Sequence, residues 1–378
     1  MAAIVALAVF FQPMGYAQQP WPLWEAYANR FIDGQGRVID RSSDDRTTSE
    51  GQAYAMFFAL VANDRTRFDK LLNWTEANLA GGDLTLRLPA WDWGKSPQGD
   101  WKILDDNSAS DADLWMAYTL LQAGALWHGE RYTKLGELMA TRIAQQEVAT
   151  IPRLGITLLP GPHGFHPDAK TWFLNPSYLP LPVLAYLAKT IPHGPWAAIL
   201  RSTPAVIGQG AGAGYAIDWV SASASGVHPA TAPAQPASGV REPQPAGSYD
   251  AIRVYLWLGI ADPETPGAHD LLKRLPGMAL YLRTAVTPPL EVDASGHIVR
   301  PDAPPGFSAA VAPYLLAAGL KAHESAQIDR LTATRDTASG LYGRAGAYYD
   351  QNLALFSTGF LDHRYRFDRD GRLKTMWK

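Results

Sequence analysis

Four carboxylates are placed so that each opens an apolar run. Glu50 follows Thr47-Thr48-Ser49 and precedes Gly51–Ala62. Asp111 and Asp113 stand in Ser110-Asp111-Ala112-Asp113 at the head of Ala112–Trp127, and Asp250 opens Asp250-Ala251-Ile252-Arg253 at the head of Ala251–Ala261. Each has an ordinary structural explanation. Thr47-x-x-Glu50 matches a capping box, in which Glu50 ties down a backbone N–H. Asp111 and Asp113 suit the positive end of a helix dipole, and Asp250 with Arg253 makes an i,i+3 ion pair. Three such positions at equivalent helix ends form a constellation that none of these explanations covers. Paired carboxyls beside aromatic rings suit glycoside hydrolysis: one protonated acid donates to the leaving oxygen, and one carboxylate attacks or activates water. Trp91-Asp92-Trp93 and Trp101 supply rings just ahead of Asp111. Indole faces can stack on pyranose rings, and their structural alternative is burial in the core.

Other chemistries lack their residues. The nine histidines are scattered, and no pair stands at i,i+4 around a glutamate, so a zincin-like centre has no support. No Gly-x-Ser-x-Gly or Walker loop occurs, and Gly208-Gln209-Gly210-Ala211-Gly212 lacks the strand–turn–helix setting of a dinucleotide site. Cysteine is absent, which removes disulfides, thiolate zinc sites and a cysteine nucleophile without fixing the compartment. A formal net charge of −3 argues against a nucleic-acid binder. The residues imply no cofactor and no metal.

These carboxylates need a scaffold. Six segments are amphipathic and charged: Trp21–Ile32, Arg67–Leu79, Arg131–Val148, Pro195–Ser202, His269–Leu282 and Glu324–Arg335. Between them lie six runs that are apolar nearly all round: Gly51–Ala62, Ala112–Trp127, Tyr178–Ala188, Ala251–Ala261, Ser308–Ala322 and Tyr348–Phe360. A helix apolar on every side is buried on every side. The alternation therefore predicts an all-α fold, an (α/α)6 barrel of six inner and six outer helices, with a minor β element at sites such as Ile217–Val220. Serines near the starts of the inner runs are expected N-caps. Parallel inner helices would gather their N-termini, and the carboxylates, at one end.

The chain reads as a single domain over residues 18–378, preceded by a secretory signal. Ala2–Phe11 is an apolar run too short to span a bilayer, and Gly15-Tyr16-Ala17 supplies a cleavage site after Ala17, although no basic residue precedes Arg30. No other segment predicts a membrane span. Ser221–Gly247, dominated by Ala, Pro, Ser and Gly, reads as a flexible insertion forming a surface loop.

The motifs resemble those of family 8 glycoside hydrolases. Ala109-Ser110-Asp111-Ala112-Asp113-Leu114-Trp115-Met116-Ala117, continuing to Trp127, is similar to the family signature, with Thr119 where Ser or Ala is usual. Ser49-Glu50-Gly51-Gln52 resembles its acid motif. Leu174-Asn175-Pro176-Ser177-Tyr178 and Ser248-Tyr249-Asp250-Ala251-Ile252-Arg253 resemble two further motifs, and the match runs over about residues 20–370. The resemblance implies an inverting mechanism on a β-1,4-glucan chain, with Glu50 as general acid and Asp250 as general base. It makes Asp111, Tyr178 and Arg253 substrate-binding residues, joined by Asn175 and the rings of Trp91 and Trp93. It further implies a periplasmic or secreted protein, with a cellulose synthase complex as a partner.

An inverting pair stands about 6.5–9.5 Å apart to admit a water. A helix N-terminus favours the charged form of Glu50, so desolvation and repulsion from Asp111 are expected to oppose it. Rival readings are a non-catalytic glycan-binding barrel, family activities on chitosan, xylan or mixed-linkage glucan, and a prenyltransferase-like barrel, which usually needs zinc held partly by Cys. Low net charge and the absence of heptads predict a monomer.

Overall fold

The computed structural model describes residues 20–233 and 244–378; the expected signal segment lies outside them. Among the described residues, thirteen α-helices alternate between two rings. The inner ring is α2 (Ser49–Val61), α4 (Ser110–Trp127), α6 (Leu181–Thr190), α8 (Ala251–Ile260), α11 (Pro305–Ala317) and α13 (Tyr348–Leu361). Outside it lie α1 (Pro22–Phe31), α3 (Arg65–Asn78), α5 (Glu130–Gln146), α7 (Trp196–Gly210), the short pair α9 (Ala268–Arg274) and α10 (Gly277–Tyr281), and α12 (Lys321–Ala333). Each inner helix packs on the next, and α13 returns to α2, closing the ring; α1 packs on α13. This is the (α/α)6 barrel that the alternation predicts.

The inner helices form where the sequence has no polar stripe to expose. Every residue of α2 from Gly51 to Val61 is buried, as is all of α8. Rings from four inner helices fill the barrel axis: Trp115 of α4 lies 5.0 Å from Phe57 of α2, 5.1 Å from Trp257 of α8 and 5.0 Å from Phe356 of α13.

Element boundaries depart from expectation where proline or glycine intervenes. The Tyr178–Ala188 run splits into a 3-10 turn, Pro176–Tyr178, and α6, because Pro180 disfavours helical backbone at Leu179. Ser308–Ala322 ends early: α11 stops at Ala317, and Gly319, at φ 76°, turns the chain into α12. Pro276 divides His269–Leu282 into α9 and α10. Pro195–Ser202 instead runs on to Gly210, with Pro204 inside the helix.

The two ends of the barrel differ. Inner-to-outer connections such as 62–64, 128–129 and 318–320 are short, whereas outer-to-inner ones such as 79–109, 147–180 and 211–250 are long. The long connections carry most of the β structure. Strands β1 (Thr47–Thr48), β2 (Asp92–Lys95) and β3 (Trp101–Asp105) form one antiparallel sheet; β4 (Val148–Ile151) and β5 (Gly155–Leu158) form a hairpin. Strands β6 (Trp172–Leu174), β7 (Trp219–Ser223) and β8 (Gly226–Ala230) form another sheet, and β9 (Ala246–Gly247), β10 (Glu291–Asp293) and β11 (Ile298–Arg300) a third. The stretch expected as a flexible insertion from Ser221 thus begins as a paired hairpin, β7–β8; residues 234–243 are outside the described part. At the other end, β12 (Tyr365–Phe367) and β13 (Leu373–Thr375) plug the barrel. Tyr118 Oη donates to Gly371 O at 2.8 Å, Trp377 Nε1 to Val61 O at 3.1 Å, and Lys378 Nζ to Leu126 O at 2.9 Å.

Candidate active site

The start of α2 presents Glu50. Thr48, not a serine, caps the helix, its Oγ1 accepting from Gly51 N–H at 3.1 Å. The capping-box explanation fails, because Thr47 Oγ1 instead donates to Val38 O and accepts from Arg37 Nε. Gly51 is required here: a Cβ would stand 2.1 Å from Tyr348 Oη. Beside this turn, Trp91 donates its N–H to Asn107 O at 2.8 Å and accepts from Ser49 N–H at 3.0 Å. Trp91 therefore joins the strands around β2 to the heads of α2 and α4.

Arg253, one turn into α8, gathers the carboxylates. Its Nη1 donates to Glu50 Oε2, to Asp111 Oδ2 at 3.0 Å and to Tyr54 Oη at 3.3 Å. Its Nη2 donates to Asp250 Oδ1 at 2.7 Å and Ser177 Oγ at 3.0 Å. The i,i+3 pair with Asp250 is thus real, but it is one arm of a larger cluster. Side-chain exposure sorts the members: Glu50 keeps 22% and Asp250 31%, against 4% for Asp111 and 3% for Arg253. Glu50 and Asp250 face solvent on two different nitrogens of one buried guanidinium.

The electrostatics separate a proton carrier from its neighbours. Burial, reinforced by the charges of Asp111 and Asp250 and opposed by Arg253, pushes Glu50 up to about 7. A hydrogen bond to Asp111 adds to the rise for Glu50 and works the other way on Asp111, as when Glu50 carries the proton and Asp111 accepts it. Asp111 is itself raised by burial, with Arg253 and the Ala112 N–H opposing.

A cleft of about 270 Å³ opens over this cluster, lined by Arg46, Thr48, Ser49, Glu50, Trp91, Ala109, Asp111, Tyr178, Tyr249, Asp250, Arg253 and Tyr349. Past Trp91 and Tyr178 it continues into a space of about 510 Å³ that includes Asp105, Asp106, His163, Phe165 and Trp219. The Phe165 and Trp219 rings stack at 5.9 Å. The result is a groove with polar groups at one point and aromatic faces along its wall.

Of the expected site residues, Glu50, Asp111, Tyr178, Asp250, Arg253 and Trp91 meet here. Trp93 does not. Trp93 lies within the sheet, opposite Thr47 of β1 and Ile103 of β3. Trp93 instead stacks on Trp101 at 5.3 Å and meets Trp74 edge-on, with the Arg37 guanidinium 4.4 Å from its ring. Asn175 is buried and absent from the cleft wall. Its Oδ1 accepts from Ser177 N–H at 3.0 Å and Ser177 Oγ at 2.7 Å; it holds the hydroxyl that meets Arg253. Sequence reasoning missed Arg46, Phe165 and Trp219 as wall residues. Tyr249 and Tyr349 stand at inner-helix starts, where the gathering of N-termini is expected to deliver them to the cleft with the carboxylates, and both line it.

The model of Glycosyl hydrolases family 8 matches residues 1–363. An endoglucanase of Xanthomonas axonopodis pv. citri is 46% identical over 95% of this chain and 90% of its own length. An endoglucanase of Escherichia coli K12 is 40% identical over 94% and 91%. The crystal structure of an endo-1,4-D-glucanase from Vibrio fischeri superposes with a TM-score of 0.82 at 35% identity, over 95% of this chain and 99% of that one. With carboxyls at the heads of parallel inner helices and a family match over nearly its whole length, this chain is a glycoside hydrolase and belongs to glycosyl hydrolase family 8.

Proposed function

We propose that the protein is an endo-β-1,4-glucanase that cleaves internal bonds of cellulose with inversion. The observation that carries this reading is the pair Glu50 and Asp250, open to one groove and held on the two ends of Arg253. Endoglucanase relatives at 46% and 40% identity support the substrate.

Glu50, protonated up to about pH 7, gives its proton to the glycosidic oxygen. Asp250, fixed through Oδ1 by Arg253, takes a proton from a water attacking the anomeric carbon from the opposite face. Asp111 accepts from sugar hydroxyls, which favours ring distortion toward the oxocarbenium-like transition state. Trp91, Tyr178 and Tyr249 offer rings to flanking sugars. A groove open along its length admits a chain interior.

Beyond the chemistry, the reading is of a monomeric single domain over residues 18–378, exported to the periplasm or beyond by the N-terminal segment. There it trims nascent glucan beside a cellulose synthase complex. Low net charge and the absence of heptads support the monomer, the apolar run Ala2–Phe11 with Gly15-Tyr16-Ala17 supports export, and resemblance supports the trimming role and the synthase complex.

Glu50→Gln tests the assignment. It should cut turnover of carboxymethylcellulose by about 10²–10⁴ while leaving glucan binding intact, and the first-formed product of the unaltered enzyme should show inverted anomeric configuration by NMR. Near-normal turnover in the variant, or retained configuration, would overturn the reading.

A further inference from the structure

Asp250 occupies the N-cap of α8 but does not cap it. An N-cap aspartate usually accepts from the N–H groups of its own first turn. Here the side chain makes no such bond, and its carboxylate is given to Arg253 and the groove. Ser248, the expected cap, is also spent elsewhere: its Oγ donates to Leu290 O at 2.7 Å. The orphaned donors are met from another segment. Asp218 Oδ1 accepts from Ser248 N–H at 2.8 Å and from Ala251 N–H at 2.7 Å, one bond on each side of Asp250.

Asp218 is itself firmly placed. Its N–H donates to Ala246 O at 2.9 Å, and nearby Ala216 N–H donates to Tyr255 Oη at 3.0 Å. The two segments run so close that a Cβ at Gly247 would stand 2.1 Å from Ala216 O. Burial first, and then the charge of Asp250, pushes the Asp218 carboxyl up to about 7.

We infer that Asp218 is a positioning residue for the general base: it caps α8 in place of Asp250 and so leaves the Asp250 carboxylate free to face the attacking water. This rests on the proposed reading of Asp250. The bond on either side fixes the backbone of the base, and a small error in that placement is paid in rate rather than in affinity. Asp218 touches no substrate in this scheme.

The test uses the full chain on carboxymethylcellulose, with thermal unfolding measured alongside. Asp218→Ala should lower kcat by about ten-fold or more with KM within about two-fold. Asp218→Asn keeps an oxygen that accepts both N–H bonds and should recover most of that loss. Should the alanine variant fail to fold, Asp218→Ser, which offers only a shorter acceptor, takes its place with the same expected ordering. Asp250→Asn serves as the control for the underlying reading. If it stays active, the base assignment fails and the clamp with it. If it is inactive while Asp218→Ala turns over normally, or while Asp218→Asn falls as far as Asp218→Ala, the clamp alone is overturned.

Discussion

Two buried carboxyls, Asp111 and Asp113, sit about half a turn apart on α4 and are neutralised in opposite ways. Asp111 shares Arg253 with Glu50 and Asp250. Asp113 has a carboxyl partner instead. It and Glu147 are fully buried and hydrogen-bonded to one another, and Ser108 Oγ donates to Glu147 Oε1 at 2.5 Å. Burial raises both, pushing Glu147 up to about 8 against the opposing bonds from Ser108 and Asp113; on Asp113 the charge of Glu147 adds to burial. Two carboxyls in contact inside a protein keep a proton between them. One cluster is therefore balanced by a cation and opens to the groove. The other is balanced by a proton and sealed, fastening the segment before Asp111 to the end of α5. A cation leaves the groove-facing carboxyls free to trade protons; a trapped proton makes a fixed strut.

The comparison breaks first at Arg253. Arg253→Met removes the cation while keeping bulk. It should abolish measurable turnover of carboxymethylcellulose and cost about 3–5 kcal/mol in denaturant unfolding, as stranded buried charges do. A stable variant would mean that protons suffice in both clusters. A smaller effect reads Glu50 directly. Its proton is held up to about pH 7, so kcat/KM should fall about ten-fold per pH unit above that value. A limb near the ordinary glutamate range would show that Arg253 outweighs burial.

The smallest effect concerns the sealed pair. Folding raises Glu147 from 4.5 to about 8, so between these values the folded chain keeps a proton that the unfolded chain has released. Its contribution is most favourable below about 4.5 and is lost as pH rises toward 8. Glu147→Gln removes that slope. The variant should gain roughly 1–3 °C in Tm at pH 8 relative to the parent and gain nothing near pH 4.5. An equal offset at both values would mean that no proton is trapped.

The barrel was legible because a helix without a polar face has few places to go, and six such runs alternated with six amphipathic ones. Glu50, Asp111, Asp250 and Arg253 were legible for a related reason: each stands at the head of a buried helix, and parallel packing brings those heads together. What the sequence hid depends on contacts without local period. Trp93 is held away from the groove by Trp101, Trp74 and Arg37, partners that no local period announces. Asn175 sits inside a motif yet works behind Ser177. Glu147 ended an amphipathic run with nothing to mark its burial, and Asp218 caps a helix that begins 33 positions later.

The hairpin β12–β13 that plugs the barrel follows the last inner helix, and α1 leans on α13. The floor of the ring therefore stays unsealed until residues 365–378 are in place. Contacts between elements so far apart in sequence slow that closure, and deletion of the hairpin would uncover the rings of Phe57 and Trp115 to water.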